Sequence, residues 1–527
     1  MFCITMLFIS TPMVVQQTKI VKFKALNGVF QKVSKPKLTY ANYKNMSYQV
    51  NIEKYISQNF GFREPVLRCY NQLVWDLFDK TCTDRIYVGK DNWLYEPWYV
   101  DEYFGTLEYF DDTVALRKEF DRQIGYIYQI SEALKANETE LIVMMVPGKP
   151  HIYPEYLQES DKNPDSVGIR ANDYYTEKFS ELGVNHINFT DWFLKTKEAD
   201  SFMVFPKTGT HWSNMAAVYI TDSLIKYIEA TSGMNMHNLS IGNLHPGKIR
   251  EPDNDLEKIL NLVRPINRDL MQYADFSVAK DSLAYKPNLL VIGDSYFWNI
   301  ANQIPLDNIF SRYPYWYYNN TIYFDPEHNN IKQVDLVEEL IQSDVVLLLF
   351  SAYPMYYFSC SFSHVALTEL YFSPDMIDSL VNDRIMSINS HPEQVEMIKG
   401  KAQKKNISLE QAIYDDAKYL IYNNPERTFK ELADRKVPTT YSSKVYEYYN
   451  MYKNPTSKKY IRKADKYGEV SEPTMEDKIA KVIENMKSNP EWMNNLQEKA
   501  NKTGKSLDEI MYRDAKWMVS EEGNKSK

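Results

Sequence analysis

The sequence lacks the motifs that would identify a nucleotide-, metal- or nucleic-acid-binding protein. It has no P-loop, no G-x-G-x-x-G turn after a strand and no cysteine–histidine cluster with zinc-ligand spacing. Its 527 residues carry a formal net charge of −9, which argues against a general nucleic-acid binder. We therefore expect no cofactor, no metal ion and no nucleic-acid partner.

Cysteine is scarce as well. The four cysteines are Cys3, Cys69, Cys82 and Cys360. Cys69 and Cys82 flank a predicted helix, so a disulfide between them is possible but is not required by the spacing. So few cysteines do not identify the redox compartment.

A long hydrophobic run is also missing. Residues 1–16 are mostly apolar, but a helix needs roughly 20 apolar residues to span a bilayer. No basic residues precede the apolar stretch, as they do in a signal peptide. Lys19, Lys22 and Lys24 follow it, and the positive-inside rule would then favour a cytoplasmic C-terminus. We interpret the segment as a truncated membrane anchor whose start codon was assigned too late.

The hydrophobic pattern predicts an α/β fold. Short, continuous apolar runs indicate buried strands, and a long amphipathic helix is predicted over 111–137. Such strands alternating with helices are typical of a parallel sheet covered on both faces. Ligands of these sheets bind beyond the carboxyl ends of the strands. The predicted strands are Leu141–Val146, Asn185–Phe189, Leu289–Ile292 and Asp344–Phe350.

The most informative motif is Gly293-Asp294-Ser295, between a predicted strand and a predicted helix. A serine at a sharp strand-to-helix turn exposes its Oγ for attack, and nearby backbone N–H groups can stabilise an oxyanion. We expect Gly293 to permit the tight turn and Asp294 to hold it by hydrogen bonds. The motif predicts acyl chemistry through Ser295; the alternative is an ordinary turn in which Ser295 caps a helix.

A serine nucleophile needs a base, and His211 is the first candidate among the eight histidines. It lies in Thr208-Gly209-Thr210-His211-Trp212, at a predicted loop-to-helix junction. His151, just after the strand that ends at Val146, is the second candidate. We expect Lys149, His211, Ser295 and Ser351 to gather at the carboxyl edge of the sheet.

Five segments form an ordered set of motifs along the chain. They are Asn59–Arg63 (N-F-G-F-R), Val88–Glu96 (V-G-K-D-N-W-L-Y-E), Val146–Glu155 with P-G-K-P and Y-P-E, Thr208–Trp212 (T-G-T-H-W) and Gly293–Tyr296 (G-D-S-Y). In this order they resemble the alginate O-acetyltransferase family of the AlgJ/AlgX type, whose domain is SGNH-hydrolase-like. The likeness extends from Lys37 to Phe372.

The resemblance implies a three-layer SGNH-like domain over 37–373, in which Ser295 is the nucleophile and His211 its general base. Gly293, Asp294 and Tyr296 would shape the site or the oxyanion hole, and Trp212 would contact substrate. From its own position, Lys149 either binds an anionic sugar of the substrate or is a solvated loop charge. The family has an aspartate two residues before the histidine, where this chain has Gly209. A carboxylate from another loop, or a weaker partner such as a backbone carbonyl, Thr208 or Thr210, could orient His211. Otherwise the triad has decayed.

Two classes of function follow from the resemblance. The first is an O-acetyltransferase acting on an extracytoplasmic polysaccharide, supplied with acetyl groups by a membrane-bound O-acyltransferase and anchored at its N-terminus. With water as acceptor, the same residues would form a carbohydrate acetylesterase. The second class is a non-catalytic polysaccharide-binding or scaffold protein of the same fold.

The region 381–527 is predicted to be helical and contains an internal repeat. Residues 392–418 match residues 490–516 at a constant offset of 98 positions. Each copy has a Pro-Glu helix start, a central Lys-Ala and a Ser-Leu that opens a second helix, which predicts a helical hairpin used twice. We expect Leu409, Ile413, Ala417 and Leu420 to share the buried face of the second helix. The hairpins are either a docking module for a partner or for an anionic polymer, or a helical appendage packed on the main domain.

Overall fold

A computed structural model describes residues 2–28, 33–107, 113–158, 170–279, 281–372, 374–425 and 427–428, together with scattered residues between 483 and 516. The chain divides into two compact units, Met1–Tyr448 and Tyr449–Lys527. The predicted helical region 381–527 therefore extends over both units, with one repeat copy in each. The basic, tyrosine-rich stretch 441–466 between the copies lies outside the described residues.

The described elements alternate between strands and helices in the first unit. The strands are β1 (Tyr87–Val88), β2 (Leu94–Tyr95), β3 (Glu140–Val146), β4 (His186–Asn188), β5 (Leu239–Lys248), β6 (Leu270–Val278), β7 (Leu289–Gly293), β8 (Tyr315–Tyr317), β9 (Thr321–Tyr323) and β10 (Val345–Ser351).

The helices before β5 are α1 (Phe2–Thr18), α2 (Tyr40–Lys44), α3 (Ser47–Gln58), α4 (Arg63–Phe78), α5 (Pro97–Phe104), α6 (Thr113–Lys135), α7 (Lys149–Ile152), α8 (Ala171–Leu182), α9 (Thr190–Glu198) and α10 (Asn214–Ser232). Those after β5 are α11 (Asp255–Ile259), α12 (Phe297–Ala301), α13 (Leu336–Gln342), α14 (Phe362–Tyr371), α15 (Pro374–Asn389), α16 (Pro392–Lys405) and α17 (Leu409–Tyr422).

The central sheet has the order β4-β3-β10-β7-β8-β9, in which only β9 runs antiparallel to its neighbour. All seven residues of β10 are buried, because this strand lies between β3 and β7 and is covered on both faces. One face packs against α9, α10 and α12, while α6 contacts β3 and α14. The predicted α/β fold with a parallel sheet is therefore confirmed, as are its four predicted strands to within one residue at each end.

Two hairpins were not predicted. β5 pairs with β6 in a separate antiparallel ribbon, and β8 turns into β9 at the edge of the central sheet. The ribbon matters for the site because the connection between β5 and β6 carries α11. The β8–β9 turn matters because the Tyr318 amide donates to the Gly293 carbonyl at 2.8 Å.

The first repeat copy forms the predicted hairpin. Ser408 begins α17, its side chain accepting from the Gln411 amide at 3.0 Å. Ile413 and Ala417 are buried as expected, but Leu420 is 48% exposed, and the buried face continues to Ile421 instead. The prediction for Leu420 is wrong because this face follows steps of four residues, 413, 417 and 421.

Two remaining expectations concern the disulfide and the membrane anchor. Cys69 and Cys82 are both free, so the possible disulfide is not formed. Among the described residues, none of the helices is both long enough and apolar enough to cross a membrane.

Candidate active site

Ser295 lies two residues after the end of β7, at the carboxyl edge of the central sheet. Gly293 ends that strand, and a Cβ placed on it would lie 2.4 Å from the Leu349 carbonyl oxygen of the neighbouring β10. Glycine is therefore required by the close approach of two strands rather than by an unusual φ, which corrects the expected reason. Ser295 is half-buried, while Asp294 and Tyr296 on either side of it are buried.

His211 reaches the same edge from an irregular segment that ends where α10 begins. Ser213 caps α10 by accepting from the Ala216 amide at 3.1 Å, so the loop-to-helix junction predicted at His211 is confirmed. Tyr296 supports His211 in two ways. Its hydroxyl donates to the Thr210 carbonyl at 2.9 Å, and its ring lies edge-on to the imidazole, with centroids 4.8 Å apart.

The geometry of a serine–histidine–carboxylate triad results. His211 Nε2 lies 2.8 Å from Ser295 Oγ, and His211 Nδ1 lies 2.6 Å from Asp255 Oδ2. Ser295 and His211 are thus brought together as predicted. The sequence left the third position open, and the structure places a carboxylate from another loop there.

Asp255 is the first residue of α11, in the connection between β5 and β6. Besides His211, it accepts hydrogen bonds from the Thr210 amide at 2.8 Å and the Leu256 amide at 2.7 Å. Two backbone donors stabilise its charged form. The buried Asp253 anchors the same loop to the start of α10 by accepting from the Asn214 amide at 2.8 Å.

The local packing explains why position 209 is glycine. A Cβ at Gly209 would lie 2.7 Å from Pro206 Cγ and 2.8 Å from the Asp253 carbonyl oxygen. Both distances are shorter than real Cβ contacts. The loop that delivers Asp255 therefore fills the space where a side chain at 209 would stand. The lack of a side chain at Gly209 therefore leaves room for the loop that carries Asp255.

Burial and charge act in opposite directions on His211. Burial lowers the pKa of the imidazole, but the charge and the hydrogen bond of Asp255, together with the charges of Glu96 and Asp294, outweigh it, so the pKa is raised above its usual value. A raised pKa makes the histidine a better proton acceptor once it is neutral. This is what a base for a serine hydroxyl requires.

Asp294 stabilises the turn that carries Ser295. Its carboxylate accepts from the Ser351 amide at 2.7 Å, from Ser351 Oγ at 2.5 Å and from the Tyr296 amide at 3.1 Å. Burial raises its pKa, and the hydrogen bonds from Ser351 oppose that rise. The expected role of Asp294 as the residue that holds the turn is confirmed.

A second acid, Glu96, lies beside the histidine at the start of α5. Its Oε2 accepts from Thr210 Oγ1 at 2.8 Å. Burial raises the pKa of Glu96 to about 7, against the opposing effects of the His211 charge and the Thr210 hydrogen bond. Thr210 is consequently held at three points, by Asp255, Glu96 and Tyr296.

Lys149 reaches the predicted edge but does not face a ligand. It is 2% exposed, and its Nζ donates to the carbonyls of Leu94, Lys207 and Gly209 at 2.6, 2.9 and 2.9 Å. An ammonium group has three donors, and all three are used. The prediction that Lys149 contacts substrate is wrong; it fastens the loop before His211 to β2.

The same correction applies to Trp212. Its side chain is fully buried, with its ring 5.3 Å from that of Tyr296. Its carbonyl accepts from Asn299 Nδ2 at 2.7 Å. Trp212 therefore packs the histidine loop onto α12 and cannot touch a substrate.

Sequence reasoning missed Asp255 and the position of Glu96. The signal for Asp255 was the acidic run Glu251-Pro252-Asp253-Asn254-Asp255, which contains three carboxylates but does not say which one reaches the histidine. Glu96 ends one of the five family-like segments. Among the described residues, no group of three or more histidine, cysteine, aspartate or glutamate side chains could hold a metal ion.

Comparison with known proteins finds a known domain over the part of the chain that contains this site. Residues 86–300 match the family model described as the SGNH hydrolase-like domain of the acetyltransferase AlgX. Residues 86–300 thus form an SGNH hydrolase-like domain of the AlgJ/AlgX type. The resemblance expected from the sequence segments is confirmed. The matched range contains Glu96, His211, Asp255 and Ser295.

The chain is also similar to curated proteins. The probable alginate O-acetylase AlgJ of Pseudomonas fluorescens is 24% identical over 186 residues, which are 35% of this chain and 43% of that protein. The chain thus spans less than half the length of this relative.

Two solved structures are also similar. The O-acetyltransferase domain of Pseudomonas putida AlgJ is 19% identical with a TM-score of 0.35, covering 51% of this chain and 92% of that one. Pseudomonas aeruginosa AlgX is 14% identical with a TM-score of 0.36, covering 54% and 66%.

Proposed function

We propose that this protein is an O-acetyltransferase that moves an acetyl group through an acetyl-serine onto hydroxyl groups of an extracytoplasmic polysaccharide. The observation that carries the proposal is the continuous contact from Ser295 Oγ through His211 to Asp255, at 2.8 and 2.6 Å. The matching domain is described as an acetyltransferase domain, which supports acetyl as the transferred group.

In the first half of the proposed reaction, Ser295 Oγ attacks the acetyl carbonyl of the donor while His211 Nε2 takes its proton. A bond forms between Oγ and the carbonyl carbon. The bond from that carbon to the donor oxygen then breaks, and His211 returns the proton to the leaving oxygen. The Ser295 amide, at the turn after β7, is the first candidate to stabilise the oxyanion.

In the second half, a sugar hydroxyl attacks the acetyl-serine and gives its proton to His211. The new ester bond forms as the bond to Ser295 Oγ breaks, and His211 reprotonates Ser295. Asp255 stabilises the imidazolium in both halves and keeps its proton on Nδ1.

Water is the competing acceptor, and it would make the protein a carbohydrate acetylesterase. This second candidate is favoured by the partial exposure of Ser295 and His211, which leaves the pair open to solvent. The non-catalytic alternative rested on Gly209, and the presence of Asp255 beside His211 removes that reason. For the transferase, we propose a membrane-bound O-acyltransferase as the acetyl supplier.

Acetyl release from a chromogenic acetyl ester tests the proposal. We expect Ser295→Ala and His211→Ala each to lower kcat by about 10³-fold or more, while Ser390→Ala, at an exposed serine, serves as the matched control. Adding a polysaccharide acceptor then separates the two candidates: O-acetylated polymer indicates a transferase, and free acetate alone indicates an esterase. Full activity in Ser295→Ala would reject both.

A further inference from the structure

The candidate triad takes its acid from a very short helix. α11 has five residues, and Asp255 is the first of them. A helix of this length has too few internal hydrogen bonds to be stable by itself, so its contacts with the rest of the chain fix its position. The Asp255 carboxylate therefore lies 2.6 Å from His211 Nδ1 because α11 is held from outside.

One side of α11 is held by apolar packing. The Glu257 amide also donates to the Thr208 carbonyl on this side, at 3.2 Å. Apolar packing is non-directional, so it keeps the helix against the domain without fixing how far the helix slides or turns. The buried residues of this contact are Leu256 and Leu260 of the helix and its end, with Trp75, Ile86 and Leu94.

Three asparagine side chains bind the carboxyl end of α11. The end consists of Lys258, Ile259 and the cap residue Leu260. Carbonyls at a helix end lack the regular intrahelical donors, so side-chain amides are suited to this place. We call Asn27, Asn71 and Asn261 the asparagine clamp. The three carbonyls accept in turn from Asn27 Nδ2 at 2.9 Å, Asn261 Nδ2 at 2.9 Å and Asn71 Nδ2 at 2.8 Å.

Two members of the clamp also bind each other. The Asn27 amide donates to Asn261 Oδ1 at 2.7 Å, and Asn261 Nδ2 donates to the Asn27 carbonyl at 3.0 Å. Asn261 is buried and has a φ of 50°, a left-handed conformation that asparagine adopts more readily than most residues. The residue that ends the α11 segment is thus joined to the start of the chain by a reciprocal pair of hydrogen bonds.

The clamp is fastened to two segments that precede the matched domain. Asn27 belongs to the irregular segment 24–28, which Arg68 holds by donating to the carbonyls of Lys24 and Ala25 at 2.9 and 2.8 Å. Asn71 lies on α4 itself. Residues 27 and 71 both lie outside residues 86–300. The position of the acid inside the matched domain is therefore determined in part by residues outside it.

α4 also holds the chain that follows the clamp. The buried Gln72 accepts at its Oε1 from the Val263 and Arg264 amides, at 3.1 and 3.0 Å. Asp76, one turn further along α4, pairs with the Arg264 guanidinium at 2.6 Å. α4 thus restrains both the end of α11 and the residues directly after it.

Packing contributes little on this side of α11. A cleft of about 460 Å³ lies between the segment 24–28, α4 and the end of α11, with Leu26, Leu67 and Ile259 among its lining residues. Side chains that face each other across open space lose the dispersion contacts that hold packed elements together. The directional hydrogen bonds of the clamp therefore determine where the end of α11 lies.

The titration of His211 reports on the position of Asp255. Burial lowers the pKa of the imidazole, and among the groups that raise it Asp255 has the largest effect, ahead of Glu96 and Asp294. Glu96 and Asp294 lie on other elements and do not belong to the clamp. A movement of Asp255 away from the imidazole should therefore lower the pKa of His211, whatever acyl group the site handles.

We propose that the asparagine clamp positions Asp255 against His211, so that the segment 24–28 and α4 complete the candidate active site from outside the matched domain. Asn27, Asn71 and Asn261 are positioning residues that act through α11. The inference rests on the proposed function for its effect on acetyl release, but its effect on His211 is independent of that function.

Asn261→Gly is the sharpest test. Glycine adopts a positive φ without strain, so the change removes the side-chain bonds to Asn27 and to the Ile259 carbonyl while the backbone keeps its conformation. We expect kcat for acetyl release to fall about 10-fold with KM nearly unchanged, because a misplacement of about 1 Å at a catalytic group can cost about 10²-fold. The pKa of His211, measured by NMR, should fall as well.

Asn406→Gly is the matched control for this variant. Asn406 has a φ of 53° at the end of α16 and is exposed, so the same change is made at a helix end that does not contact α11. We expect kcat and the His211 titration of Asn406→Gly to equal those of the unaltered protein.

Asn27→Ala and Arg68→Lys test the clamp away from α11. Asn27→Ala removes the bond to the Lys258 carbonyl and should lower kcat several-fold. Arg68→Lys keeps the charge, but an ammonium lacks the planar fork that binds two carbonyls, so a smaller fall is expected. Asn42→Ala, which removes an amide that donates to the Lys37 carbonyl at 3.3 Å, is the control.

Combining Asn27→Ala with Asn261→Gly tests whether the two residues act together. The Asn27 side chain should matter less once the segment 24–28 is released from Asn261. We therefore expect the double variant to lose less activity than the product of the two single losses. Fully multiplicative losses would mean that the two asparagines act separately and would contradict the clamp.

A purely structural role for the clamp would lower the free energy of unfolding but leave the folded site as it is. Coincident His211 titrations and equal kcat values in folded Asn261→Gly and the unaltered protein would therefore overturn the inference, as would equal losses in Asn406→Gly. Circular dichroism identifies the folded variants, and Arg68→Lys supplies the same two measurements if Asn261→Gly does not fold. If the unaltered chain releases no acetyl group, the proposed function fails while the NMR titration still decides the clamp.

Discussion

His211 and His151 offer a comparison between two regions of one sheet edge. Each imidazole is largely buried and faces a carboxylate, His211 at 2.6 Å from Asp255 and His151 at 3.5 Å from Glu102. Yet the pKa of His211 is raised, while burial and the Arg170 charge lower the pKa of His151 to about 3. Proximity of an acid alone does not make a base.

The difference lies in how each acid is supported. Asp255 accepts from two backbone amides in addition to His211. Glu102 is buried, which raises its pKa to about 8, against the opposing charge of Arg170, so it is mainly neutral near pH 7. A neutral acid cannot stabilise an imidazolium. Here the histidine that is suited to act as a base has a carboxylate partner that accepts hydrogen bonds from backbone amides. Its other ring nitrogen contacts a serine hydroxyl.

Removing the charge of Asp255 should have the largest effect. In Asp255→Asn the amide cannot stabilise the imidazolium and favours the wrong tautomer, so we expect kcat for acetyl release to fall about 10³- to 10⁴-fold. Asp275→Asn, at a carboxylate that is 80% exposed, is the matched control. If Asp255→Asn kept more than a tenth of the activity, the contrast drawn between the two histidines would be wrong.

The next largest effect is expected on stability. Lys149 stands two residues before His151 in sequence and binds the carbonyl of Gly209, two residues before His211. Lys149→Met would remove a donor from three buried carbonyls, and the Lys207 carbonyl would still accept from the Leu94 amide at 3.0 Å. Each of the other two carbonyls would lose about 1–3 kcal/mol, so we expect a loss of about 2–6 kcal/mol in the free energy of unfolding, measured in urea. Lys226→Met, at a side chain that is 64% exposed, should stay within about 0.5 kcal/mol.

Sequence predicted the central strands because continuous apolar runs of five to seven residues have few other uses in a globular chain. Those of β3, β7 and β10 are buried almost throughout. β5 was missed because most of its residues are exposed, and β8 and β9 because each has only three residues.

The sequence predicted only part of the site, and the reason is physical. Ser295 and His211 stand at junctions that sequence can recognise, whereas Asp255 comes from the connection of an unpredicted hairpin. Nothing in a linear pattern tells which of three nearby acids will meet an imidazole 44 residues away. The predictions for Lys149 and Trp212 were wrong because buried residues that support a site occur in the same motifs as residues that contact the ligand.

Gly209→Asp tests whether a carboxylate at position 209 could replace Asp255 as the partner of His211. The new Cβ would press on the Asp253 carbonyl at 2.8 Å, so we expect a destabilisation of about 1–3 kcal/mol and lower activity. Adding Gly209→Asp to Asp255→Ala should not restore acetyl release. Gly400→Ala is the control, since a Cβ there meets nothing within 4 Å, and it should stabilise α16 by about 0.5–1 kcal/mol. Recovery of activity in the double variant would show that both positions can serve.

The smallest effect is expected from His151. Its folded pKa of about 3 lies below the ordinary value of 6.5, so the unfolded chain binds the proton first, and stability is lost as pH falls from about 6.5 towards 3. His151→Gln should remove this loss. Relative to the variant, the unaltered protein should lose about 1 kcal/mol between pH 8 and pH 5.5, measured by urea unfolding at each pH. Glu102 has the opposite pH slope but is present in both proteins, so the difference isolates His151. Parallel plots of the free energy of unfolding against pH for the two proteins would contradict this contrast between His151 and His211. So would a loss of acetyl release in His151→Gln as large as that in His211→Ala.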